Sequence, residues 1–212
     1  MKCLILLLGV SIRYADTINV NLNTSSLIGS QVSIAYALID GDATANNIVT
    51  VTNALFGGGS LVGSPTLKGG ATGSLSGIVT LTDIGSFNEY FHEFTPGSSL
   101  SFVLDFTTNF AGGTPDSVSF LLIDNSTGLP IPTLAPLGSD VLFAIDLNGP
   151  SPAVQTYGTD PQRTDFALAA PVASAATVPE PGSLFLCGTV LCGVALFSRR
   201  RTRRLSKRAL LG

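Results

Sequence analysis

The chain carries a single histidine, and that limits its chemistry at once. His92 lies in Glu89-Tyr90-Phe91-His92-Glu93-Phe94, with an acid on either side of it. Zinc hydrolases use two or more histidines as a rule, so zinc catalysis has no ligand set here. On a strand, Tyr90, His92 and Phe94 would share one face while Glu89, Phe91 and Glu93 share the other, which separates the acids from the base. The segment therefore reads as a strand with polar outer positions rather than an acid/base site. No Gly-x-Ser-x-Gly elbow is present to build a serine triad around the histidine. A pair of carboxylates for glycoside hydrolysis is defined by separation in space, and nothing in the order of residues supports one. The expectation is a protein without catalytic residues and with no cofactor beyond an ion.

Calcium is the ion that the residue types suit. Asp40 and Asp42 flank Gly41 in a turn followed by Asn46 and Asn47, and Asp124-Asn125 opens another loop. These are hard oxygen ligands of the kind Ca²⁺ takes, although neither stretch is a complete twelve-residue loop. Asx residues in turns also bond their own backbone, which is the ordinary use of such a pair. The cysteines offer less. Cys3, Cys187 and Cys192 all lie in apolar end segments, so the region between has no thiol for a disulfide or a metal. Cys187 and Cys192, five apart, do not have zinc spacing and read as small apolar groups.

Strands must position whatever these residues do. Apolar residues alternate at Ile18/Val20/Leu22, Val32/Ile34/Tyr36/Leu38, Leu100/Phe102/Leu104/Phe106, Val118/Phe120/Leu122 and Val141/Phe143/Ile145/Leu147. Weaker strands fit Asn47 to Leu55, Gly77 to Thr82 and Glu89 to Phe94. Turn clusters such as Gly57-Gly58-Gly59, Lys68-Gly69-Gly70 and Asn125-Ser126-Thr127-Gly128 separate them. About eight short strands without an amphipathic helix predict an all-β domain over 16–147, an antiparallel β-sandwich of jelly-roll type. Asn23-Thr24-Ser25 and Asn125-Ser126-Thr127 match a glycosylation pattern but read as turn residues.

Composition agrees. Of 212 residues only 12% are charged, while 23 are Gly and 12 Pro, which disfavours helical bundles. All 14 acids lie between Asp16 and Glu180, where Lys68 and Arg163 are the only bases. Such a body cannot neutralise phosphates, so nucleic acid is excluded as its partner. Residues 148–177 are rich in Pro, Ala, Ser and Thr and read as an extended linker, with room for one short strand around Thr164 to Ala169.

The two ends read as targeting signals. Residues 1–15 begin Met1-Lys2 and continue with an apolar stretch, Cys3 to Ile12, of signal-peptide length. Cleavage after Ala15 suits the small −1 residue, although Arg13 at −3 is atypical. Residues 178–212 contain three parts in order: Val178-Pro179-Glu180-Pro181-Gly182, an apolar run Ser183 to Phe197, and a basic cluster of Arg199, Arg200, Arg201, Arg203, Arg204, Lys207 and Arg208. As a helix the run rises about 22 Å, short of the roughly 30 Å hydrocarbon core, so it is a marginal transmembrane span. The cations after it belong on the cytoplasmic side, which places the body outside.

The tail resembles the PEP-CTERM sorting signal of Gram-negative bacteria, with Pro179-Glu180-Pro181, apolar helix and arginine cluster together over residues 178 to 208. The resemblance implies an exosortase-type membrane protease as partner, transient anchoring in the inner membrane and release of the body to the cell envelope, extracellular matrix or biofilm. The body, from Asp16-Thr17 through Gly57-Gly58-Gly59 to Asp146, is similar to PEP-CTERM exported proteins with no established activity, which supports the sandwich and supplies no active residues.

The expected function is thus an exported, non-enzymatic envelope or exopolysaccharide-matrix protein. The alternative is a carbohydrate-binding module with a calcium-stabilised loop. Against the alternative, the chain has no Trp, and Tyr36, Tyr90 and Tyr157 and the phenylalanines look core-directed. Ice binding would want a regular threonine array, and Thr50/Thr52 with Thr80/Thr82 offer two pairs.

Overall fold

Alternating apolar positions lead directly to paired strands in the computed structural model, which describes residues 15–136, 138–149 and 152–175. The strands are β1 (Ala15–Asn23), β2 (Val32–Ile39), β3 (Ile48–Leu55), β4 (Ser60–Leu61), β5 (Thr66–Lys68), β6 (Gly70–Gly73) and β7 (Val79–Thr82). They continue with β8 (Phe87–Thr95), β9 (Ser99–Thr107), β10 (Asp116–Asp124), β11 (Leu129–Pro130), β12 (Phe143–Leu147), β13 (Val154–Thr156) and β14 (Val172–Ala175). A 3₁₀ turn at Ser25–Leu27 buries Leu27. Residues 1–14 and 178–212, read as signal peptide and sorting signal, lie outside the described residues, while Ala15, the expected cleavage residue, is the first residue of β1 and pairs with Thr107. Among the described residues no helix is long and apolar enough to cross a membrane.

Two antiparallel sheets result, an arrangement consistent with a β-sandwich. One runs β14-β1-β9-β3-β7-β6, and the other β13-β12-β10-β2-β8-β4, with β11 beside β10 and β5 beside β8. Inward residues of both sheets form one core. Phe102 of the six-stranded sheet meets three rings of the other sheet. Its centroid lies 5.2 Å from Tyr36, 5.3 Å from Phe120 and 6.3 Å from Phe143. The first two contacts are edge-on, the geometry that aromatic quadrupoles favour.

The segment read as a linker is instead docked on the body. β13 pairs with β12 and β14 with β1, while Leu168 joins the core. No strand forms at Thr164 to Ala169; Thr159 and Leu168 exchange hydrogen bonds there, and the strand comes later, at Val172. The prolines at 152, 161 and 171 shorten these pairings without preventing them, since each falls outside a strand.

Candidate functional site

Register brings distant acids to one end of the two sheets. β2 ends at Ile39, opposite Ser117, so Asp116 at the head of β10 stands beside the Asp40-Gly41-Asp42 turn. Asp116 is 1% exposed, and its Oδ1 accepts from the backbone N–H of Gly41 at 2.8 Å and of Asp42 at 3.4 Å. Gly41 is needed at this position, because a Cβ there would fall against the Pro115 carbonyl oxygen. Asp40 Oδ1 accepts from Ala43 N–H at 2.7 Å, which helps hold Ala43 at a φ of 61°. Asp42 accepts from Thr44 N–H at 2.8 Å and from Ala111 N–H at 3.0 Å. One carboxylate oxygen from each of Asp40, Asp42 and Asp116 lies within 4.8 Å of the others.

A second layer surrounds this triad. Asp83, directly after β7, accepts from Asn46 N–H at 2.9 Å and Asn47 N–H at 2.7 Å. Asn47 Nδ2 donates to Asp116 Oδ2 at 2.7 Å and to the Asn109 carbonyl at 2.8 Å, while its Oδ1 accepts from Thr107 Oγ1 and Asn109 N–H. Asn46 Oδ1 is buried there without a hydrogen-bond partner among the described residues. The charges respond to these surroundings. Asp42 is held below the usual carboxylate value, first by the Ala111 N–H. Asp83 is pushed up, first by burial and further by the Asp116 carboxyl beside it, against the pull of two backbone N–H groups. The donor set is all hard oxygen, which suits Ca²⁺, and the same oxygens already serve as backbone acceptors.

The expected Asp40 and Asp42 are therefore together, and sequence reasoning missed Asp83 and Asp116. Asp124 does not join them: it caps its own turn, accepting from Ser126 N–H at 2.9 Å and Ser126 Oγ at 2.7 Å. Asn125 is likewise a turn residue, as expected of the glycosylation-like triplet. The five residues Val178 to Gly182 and the cluster Arg199 to Arg208 lie outside the described residues.

His92 is engaged on both ring nitrogens. Tyr90 Oη and His92 Nδ1 are 2.7 Å apart, and Nε2 lies 3.3 Å from the Gly63 carbonyl. Leu75 N–H donates to Tyr90 Oη at 3.1 Å, which leaves that hydroxyl to donate to Nδ1. Tyr90, His92 and Phe94 face inward, and Glu89, Phe91 and Glu93 outward, as the alternation implied. Of the two threonine pairs, Thr50 and Thr80 are cross-strand partners, with Thr72 next in the row. Thr52 instead faces Val103, and Thr82 faces Ile48 and Gly70, so the expected second pair does not form.

The chain matches no family model, no curated protein and no solved structure.

Proposed function

We propose that this is an exported, non-enzymatic protein of the cell envelope or exopolysaccharide matrix, sorted and processed at its C-terminus by an exosortase-type membrane protease. The order of three signals carries the reading: Val178 to Gly182, then an apolar span, then the arginine cluster. In this reading the span is a transient inner-membrane helix and the arginines stay in the cytoplasm. The body supports it by being acidic and free of cysteine, with its one histidine occupied by packing partners. The chain also passes back and forth between the two sheets, β1 to β2 to β3 and again β7 to β8 to β9, which supports a jelly-roll type of sandwich. Mass spectrometry of the secreted form tests the proposal. Expected is a fragment beginning near Asp16 and ending near Pro181; a secreted chain that keeps Arg199 to Arg208 would overturn it.

A second reading, a carbohydrate-binding module with a calcium-stabilised loop, is favoured by one observation. Asp116 adds a third carboxylate to the Asp40/Asp42 turn, and no Lys or Arg pairs with any of the three among the described residues. Three unpaired carboxylates attract a hard cation, which would tie the end of β2 to the start of β10.

A further inference from the structure

The outer face of the eight-stranded sheet is centred on a strand of small residues, and a groove opens at one end of it. On β2 the outward positions are Ser33, Ala35 and Ala37, all small. Register places Glu93, Phe91 and Glu89 of β8 beside them on one side, and Ile123, Leu121 and Ser119 of β10 on the other. Phe91 and Leu121 flank Ala35, which is buried, while Glu93 and Ile123 stand on either side of Ser33. The groove at the Ser33 end measures about 620 Å³, within the range of about 300–1,000 Å³ typical of small-ligand sites.

Its lining is chemically mixed. Phe91 supplies a partly exposed ring between two carboxylates, Glu89 and Glu93. Lys68 neutralises Glu89 at 2.7 Å and fixes its position. Glu93 has no ion pair among the described residues, so the groove keeps one uncompensated negative charge. Gln31 and Asn125 add amides at the other wall, and Ser33 Oγ donates to Asn125 Oδ1 at 2.8 Å, leaving the Asn125 amide nitrogen as a donor. Carboxylates and amides flanking a ring suit a ligand that presents hydroxyls at its edges and C–H groups on its face. A polyanion is disfavoured by Glu93. A peptide cannot add a strand at this side, because β4 and β5 already occupy the edge of β8.

We infer that this groove binds an uncharged polysaccharide chain, with Phe91 as stacking platform and Glu93, Gln31 and Asn125 as its hydrogen-bonding partners. The inference rests on the second reading above and names its site. Binding rather than cleavage is the reading proposed, because Glu89 is taken up by its ion pair with Lys68 and leaves Glu93 without a second free carboxylate in the groove.

The test is calorimetric titration of the full chain with cellohexaose, laminarihexaose and mannohexaose, with an alginate hexamer as anionic probe and a lysine hexapeptide as cationic probe. At least one uncharged hexasaccharide should bind, and Phe91→Ala and Glu93→Gln should each weaken it about tenfold or more. Both side chains point outward, so the variants should melt with the wild type. Binding that survives both substitutions would remove the groove while leaving the module reading intact. No uncharged probe bound at about 1 mM, or binding of the charged probes alone, would overturn both.

Discussion

A hydroxyl without a partner sits at the centre of the core. Tyr36 is fully buried against Phe102 and Phe120, its Oη meets no donor or acceptor among the described residues, and burial raises its pKa well above the ordinary tyrosine value. Leaving such a group unpaired costs about 1–3 kcal/mol of desolvation, whereas deleting it keeps the ring contacts. Tyr36→Phe should therefore be neutral or stabilising by about 1 kcal/mol in urea unfolding; a clear loss of stability would point to a partner for Oη. Asp83 makes a second prediction, in pH. Its folded pKa lies above the ordinary aspartate value, first because of burial, so the folded state favours the protonated form more than the unfolded chain does. That contribution is complete below the unfolded pKa and is lost as pH rises through the folded one. Asp83→Asn should accept the same two N–H bonds without charge and be more stable than wild type at neutral pH, with the gap closing below about pH 4. A gap independent of pH would assign Asp83 a purely steric role. Asp140, lowered by its hydrogen bond with Arg163, works in the opposite sense and gives up stability as pH falls below 3.8. Asp40 and Asp42 were legible as a candidate because they are two residues apart. Asp83 and Asp116 were not, since only the pairing of β2 with β10 and of β3 with β7 brings them near.

At the scale of elements, the acidic turn joins the end of one strand to the start of its neighbour. An ion there would relieve repulsion between carboxylates contributed by β10 and by the turn after β2. Saturating calcium should then stabilise the fold by about 2.7 kcal/mol at a hundred times Kd, seen as a rise of several degrees in melting temperature. Asp40→Asn with Asp42→Asn should remove that increment and leave the metal-free protein equally or more stable. A wild-type midpoint unmoved by millimolar CaCl₂ would assign the aspartates to their backbone bonds alone. The long strands were readable from alternation, and β1, β2, β8, β9 and β10 appear where the apolar positions put them. The short strands β4, β5 and β6 were not. They lie in the Gly- and Ser-rich stretch 57–77 and are held by neighbours more than by their own side chains. β6, for example, begins at Gly70, where a Cβ would strike the Thr82 carbonyl oxygen of β7. β13 and β14 were hidden for a similar reason: a Pro/Ala/Ser/Thr composition suits an exposed edge strand as well as a spacer.

For the whole molecule, the prediction concerns the proposed sorting at the C-terminus. If the proposed sorting holds, replacing Pro179, Glu180 and Pro181 together by alanine should preserve insertion, because the apolar span and the arginines proposed to set topology are untouched. Tail removal should stop, and a blot of cell fractions with an antibody against the body should find a chain that keeps its C-terminal tail in the inner membrane. Normal release would reject the sorting signal. The pairing of β1 bears on the proposed export. Its two neighbours are β9 and β14, so Ile18 has to find Leu104 on one side and Ala175 on the other. Closing such long loops precedes any reward from the contacts they allow, and folds dominated by these pairings mature in milliseconds to seconds rather than microseconds. The first sheet cannot be finished until its last strand has been synthesised. High contact order would therefore keep the nascent chain open and threadable, and defer maturation until the whole body has emerged.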